Sequence, residues 1–150
     1  MKTHTVEVLI TVAQDGSKVY DGEPKFKGEY VLRAFATDGA LLHEVTGVVA
    51  DLSVTTSDYA RLVTLQAALE RLHAKLCGQK AWYALRVAQS SKNVGGWLGK
   101  GWKRNAAEVK ALAGATDVLL KPFPHIEWVQ LPRTELDARM KSGRGVMLTV

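Results

Sequence analysis

The stretch TTSDYARLVTLQAALERLHAKLCG, Thr55 to Gly78, decides the architecture because its periodicity differs from everything before it. Leu62, Leu65, Leu69, Leu72 and Leu76 follow at spacings of 3, 4, 3 and 4 residues, which lays one apolar stripe along a helix. Ser57 or Thr56 can cap its start, and Gly78 can close its end. An apolar stripe of this length needs a surface to cover.

The sequence upstream supplies one. Val6 to Val12 is mostly β-branched or apolar and is followed by the turn residues Gln14-Asp15-Gly16-Ser17. GEYVLRAFAT, Gly28 to Thr37, alternates and ends at Asp38-Gly39, a hairpin signal leading into a strand over Leu41 to Ala50. Three antiparallel strands are expected before the helix.

Downstream, WYALRVA from Trp82 to Ala88 reads as a buried strand, followed by the glycine-rich stretch SSKNVGGWLGKGWKRN, Ser90 to Asn105. Ala106 to Leu120 reads as a helix with Val109, Leu112, Val118 and Leu119 apolar, although Gly114 weakens it by about 1 kcal/mol relative to alanine. Pro122 and Pro124 stop it. HIEWVQL, His125 to Leu131, alternates as a fifth strand, and Pro132 breaks the chain before a short helix from about Thr134 to Lys141. The order β-β-β-α-β-α-β-α predicts an α/β fold: a mixed five-stranded sheet, its first three strands antiparallel, with helices on both faces.

Residues 1–150 show no internal repeat or linker, so a single domain is expected. The tail SGRGVMLTV, Ser142 to Val150, is a flexible end, a strand that pairs with a partner, or a segment that packs back on its own domain. With 47% hydrophobic and 23% charged residues, the composition is that of a globular protein rather than a disordered one. The net charge of +5 favours an anionic partner, either nucleic acid or an acidic membrane surface. The apolar run VEVLITVA, Val6 to Ala13, is interrupted by Glu7 and is far shorter than the roughly 20 residues that span a bilayer. His4 and Glu7 also spoil a secretory signal, so neither insertion nor export is expected. The single Cys77 excludes an internal disulfide and suits a reducing compartment, the cytoplasm being the simplest, while leaving a homodimer open.

Four side chains in the glycine-rich stretch carry positive charge. Lys92, Lys100, Lys103 and Arg104 can neutralise phosphates, while Gly95, Gly96, Gly99 and Gly101 let backbone approach a strand. Trp97 and Trp102 either stack on bases or anchor the segment in the core. The stretch is not a P-loop: GGWLGKG lacks the four-residue spacer, and Gly101 stands where Ser or Thr would bind magnesium. Ser90 and Ser91 have no base at a spacing that would make either a nucleophile. His73 and Cys77 are half a zinc site at most, because no CxxC pair exists and His4, His43 and His125 are scattered.

Taken in order, these pieces resemble the ribonuclease H superfamily, of the ribonuclease HI type. Asp15-Gly16-Ser17 looks like the family's DGS, TTSDYARLVTLQAAL like its TNN-x-A-E-L-x-A-L helix, and QSSKNV like its TDS-x-Y-V turn. GWLGKGWKRN is similar to the tryptophan and basic segment that grips the DNA strand of a hybrid, and IEWVQLPR with ELDARM to the last strand and its N-x-x-A-D helix. The resemblance implies four carboxylates holding two Mg²⁺ ions that cleave RNA in RNA:DNA hybrids. Three of those positions lack their acid. Arg61, directly after Ala60, falls on the helix Glu, and Ser90 on the Asp of the fourth-strand turn. Arg139 falls on the last Asp when Ala138 is matched to the family's alanine, and Asp137 when the register shifts by two. Asp15 alone matches directly.

A guanidinium repels a divalent cation and cannot lose its proton to relieve the repulsion. The expectation is therefore a catalytically inactive, nucleic-acid-binding protein with a basic groove, taking DNA or an RNA:DNA hybrid and using no metal or cofactor. Arg61 and Arg139 either bind a phosphate in the former metal cleft or pair with Asp15 or Asp137. One alternative is an active Mg²⁺-dependent ribonuclease H drawing on Asp15, Asp137 and Glu44 or Asp51. The other is a protein-interaction module on the same fold.

Overall fold

The computed structural model describes residues 4–14, 25–54, 56–76 and 83–141. The expected Asp15-Gly16-Ser17 turn, Cys77, Gly78, Trp82 and the tail 142–150 lie outside the described residues. β1 (His4–Gln14), β2 (Lys25–Phe35) and β3 (Leu41–Ser53) form the antiparallel meander, and β4 (Tyr83–Gln89) and β5 (Ile126–Gln130) continue it in parallel. The strand order is β3-β2-β1-β4-β5, so β1 lies at the centre. That position explains its near-continuous apolar sequence, since a central strand is covered on both faces. Val6, Val8 and Ile10 enter one core cluster, while Leu9 enters another on the opposite face. The β2–β3 turn closes at Gly39 (φ 90°), with the Ala40 N–H donating to the Asp38 side chain at 3.0 Å.

α1 (Ser57–Leu76) buries Leu62, Leu65, Leu69, Leu72 and Leu76, the leucine stripe of the sequence. Of the two candidate caps, Thr56 accepts from the Tyr59 N–H at 3.2 Å. α3 (Ala107–Leu120) lies beside α1 on the same face, where Gln66 donates to the Leu112 carbonyl at 2.9 Å. Its buried residues are Val109, Ala113, Thr116 and Leu120, whereas Val118, one of the apolar residues noted in the sequence, is 70% exposed. The buried residues follow at spacings of 4, 3 and 4, and Val118, two residues beyond Thr116, falls on the opposite side of the helix. On the other face α4 (Arg133–Lys141) packs Leu136 against Leu9, Val31 and Ala88.

One element was not expected. α2 (Lys92–Gly99) makes a helix of the glycine-rich stretch, so the order is β-β-β-α-β-α-α-β-α. Ser91 caps it, its Oγ accepting from the Val94 N–H at 3.2 Å. Adjacent glycines disfavour a helix by propensity, but here tertiary contacts overrule it. The Trp102 ring lies where a Cβ on Gly96 would be, and a Cβ on Gly99 would stand 2.6 Å from the Trp128 ring.

A row of alternating charge crosses the sheet on the α4 face. In register, Glu44, Arg33, Glu7, Arg86 and Glu127 occupy β3, β2, β1, β4 and β5. Arg33 Nε donates to Glu44 at 2.6 Å and its Nη atoms to the Arg139 and Met140 carbonyls, so it caps the end of α4. Arg86 Nε donates to Glu127 at 3.0 Å. Glu7 at the centre is fully buried, and Arg139 from α4 stands 3.7 Å away. Neither Glu7 oxygen has a hydrogen bond among the described residues. Burial raises the Glu7 pKa above its usual value, against the opposing charges of Arg139, Arg86 and Arg33.

Candidate nucleic-acid interface

The ends of β1 and β4 lie side by side and define the place where α1, α2 and α4 begin. Their last parallel pair is Leu9 with Ala88, and two residues further the chains reach Thr11 and Ser90. β1 was expected to end at Val12, but Ala13 and Gln14 stay paired with Lys27 and Phe26. The residue level with Ser90 is consequently Thr11, a buried hydroxyl, and Asp15 follows four residues later, outside the described residues.

α1 brings Arg61 to this place from its first turns. Arg61 Nη1 donates to Ser57 Oγ at 3.2 Å and to Asp58 Oδ1 at 3.1 Å. Its Nε is buried with no hydrogen bond among the described residues, an omission that costs about 1–3 kcal/mol. Burial lowers the Arg61 pKa, Asp58 opposes the shift, and the like charge of Arg133 adds to it. Asp58 in turn accepts from Ser91 Oγ at 2.6 Å and Asn93 Nδ2 at 2.9 Å. One carboxylate thus joins the starts of α1 and α2.

α4 brings Arg133. Its Nη1 donates to the Val12 carbonyl at 2.7 Å, while its Nε contacts both Asp137 oxygens at 3.1 Å. The Val12 side chain packs with Ala60, the residue before Arg61, so the two arginines flank one stretch of β1. Arg139, two residues beyond Asp137, points instead to Glu7, four residues before Thr11 and roughly 13 Å away along an extended strand. The partners found are therefore Asp58 for Arg61, Arg133 for Asp137 and Glu7 for Arg139. Glu44, offered as an alternative acid, sits on edge strand β3 and pairs with Arg33, and Asp51 lies on the same strand. Among the described residues no group of three or more His, Cys, Asp or Glu side chains could hold a metal ion. Arg61 and Arg133 are each held on one edge by a carboxylate, Asp58 or Asp137, and their remaining N–H groups suit an anion.

Sequence reasoning missed Asp58, Asn93 and Arg133. The spacing of Asp58 and Arg61 at i and i+3, and of Arg133 and Asp137 at i and i+4, carries the signal for the two pairs. Nothing in the sequence marks Asn93.

In the basic segment, Lys92, Lys100 and Lys103 are exposed. Lys100 and Lys103 flank Gly101 (φ 68°), whose left-handed backbone turns the chain and folds Trp102 back onto α2. One face of the Trp102 ring covers Gly96, yet the residue remains 38% exposed. Trp97 is half-buried. Arg104 is engaged within the protein, donating to Asp117 at 2.6 Å and to the Trp97 carbonyl at 2.8 Å, so it braces α2 against α3. His73, the other half of the considered zinc pair, lies 2.7 Å from the Leu119 carbonyl and edge-on to Phe123. No helix among the described residues is long and apolar enough to cross a membrane.

No protein-family model matches the sequence, and a search of curated proteins returns no match. Solved structures do match. Ribonuclease H1 from the halophilic archaeon Halobacterium salinarum aligns with a TM-score of 0.62 and 18% identity over 89% of both chains. The N-terminal ribonuclease H domain of a Mycobacterium tuberculosis protein aligns with a TM-score of 0.61 and 19% identity over 89% of this chain and 91% of that one. LC11 ribonuclease H1 in complex with an RNA/DNA hybrid aligns with a TM-score of 0.60 and 15% identity over 89% of this chain and 88% of that one. The chain has a ribonuclease H-like fold.

Proposed function

We propose that the protein binds nucleic acid, preferring an RNA:DNA hybrid, and does not cleave it. The observation that carries this reading is the pair of guanidiniums, Arg61 and Arg133, beside the hydroxyls Thr11 and Ser90 where β1 and β4 end. Guanidinium N–H groups attract phosphate, and a guanidinium beside a cleft repels the divalent ions that phosphodiester hydrolysis on this fold would need. The similarly folded LC11 ribonuclease H1, solved with an RNA/DNA hybrid, supports the choice of partner. Lys92, Lys100 and Lys103 extend the contact along the backbone, and the open face of Trp102 packs against a sugar or base. The single Cys77 supports a reducing compartment, of which the cytoplasm is the simplest.

The test is a titration of labelled hybrid, duplex DNA and single-stranded DNA across a salt series. Contacts with about four phosphates predict a log-log slope near −3 to −4, with hybrid bound most tightly. A flat salt response would instead indicate a protein partner.

A further inference from the structure

We infer that Arg61 and Arg133 form a metal-independent seat for one phosphate of the bound backbone. The inference rests on the nucleic-acid reading above and names how one part of that surface works. Each guanidinium is already fixed along one edge: Arg61 by Ser57 and Asp58, Arg133 by Asp137 and the Val12 carbonyl. Fixing one edge removes the entropy cost of ordering a long side chain, so binding need not supply it. Among the described residues no hydrogen bond uses Nη2 of either arginine, and the buried Arg61 Nε has none either.

The two side chains come from helices on opposite faces of the sheet to one stretch of β1: Arg61 follows Ala60, whose side chain packs with Val12, and the Val12 carbonyl holds Arg133. Their like charges are close enough to disfavour each other, and an anion between them turns that repulsion into two attractions. A tetrahedral phosphate matches the fork of a guanidinium, and the half-buried Ser90 stands at the end of the neighbouring strand. Asp58 and Asp137 orient the cations in the way that outer carboxylates orient metal ligands. The seat is built from the chain alone.

The experiment compares hybrid binding by the parent protein, Arg133→Gln and Arg61→Lys, in EDTA and in Mg²⁺, with thermal melts as a check on folding. The parent is expected to bind equally with and without the metal. Arg133→Gln, altering a side chain 45% exposed, is expected to bind about ten-fold more weakly with a salt slope smaller by about one. Arg61→Lys is expected to weaken binding although its charge is kept, because an ammonium lacks the planar fork. Folded variants that bind like the parent, while Lys100→Gln loses affinity, would overturn the seat and leave the nucleic-acid reading standing. If the parent binds no nucleic acid, that reading falls. The seat is then judged by titrating inorganic pyrophosphate against the arginine Nε–H resonances: a saturable shift abolished in Arg133→Gln sustains it, and unmoved resonances overturn it.

Discussion

Glu7 is fully buried and Arg61 half-buried, and burial shifts their pKa values in opposite directions. Glu7 lies among three arginines, yet its oxygens make no hydrogen bond among the described residues, so desolvation outweighs attraction and its pKa rises. A group whose pKa is raised by folding favours the fold while protonated. That contribution is present below its unfolded pKa of about 4.5 and is lost as pH rises through the folded value. Glu7→Gln, neutral at every pH, is therefore predicted to melt higher than the parent at pH 7, with the difference closing near pH 4. A lower melting temperature at pH 7 would show that the Arg139 contact outweighs desolvation. The Asp58–Arg61 pair was legible in its i, i+3 spacing. The Glu7–Arg139 contact was not, because it joins β1 to α4 from opposite ends of the sequence and no local spacing records it.

The same contrast holds among the elements. The meander and α1 were legible because alternation and a 3-4 leucine spacing are local patterns that burial then rewards. α2 was not, since its glycines read as a loop until Trp102 and Trp128 are seen in the places of their side chains. Two glycine substitutions separate these effects. Gly114→Ala, with nothing within 4 Å of the added methyl, is predicted to stabilise α3 by up to about 1 kcal/mol. Gly96→Ala drives a methyl into the Trp102 ring and is predicted to destabilise by about 1–3 kcal/mol despite better helix propensity. Denaturant melts with tryptophan fluorescence distinguish them, and equal effects at both positions would refute the packing account of α2.

Across the whole molecule, the charge row from β3 to β5 ties the sheet to α4, and α4 delivers Arg133 to the strand ends. Arg33 is the strongest link, being 4% exposed and joined to Glu44 and two α4 carbonyls. Arg33→Met is predicted to cost about 3–5 kcal/mol, because it strands a carboxylate and an uncapped helix end. Glu127→Gln, at the exposed end of the same row, is predicted to change stability by less than about 1 kcal/mol. Chemical denaturation of both variants checks the gradient, which fails if the two costs are alike. The molecule so assembled sets guanidiniums and hydroxyls where the fold brings its strand ends together. The most direct measurement is incubation of the protein with end-labelled RNA:DNA hybrid in Mg²⁺ or Mn²⁺, followed on native and denaturing gels. A retarded complex containing an intact RNA strand is predicted; metal-dependent cleavage of that strand would contradict the account.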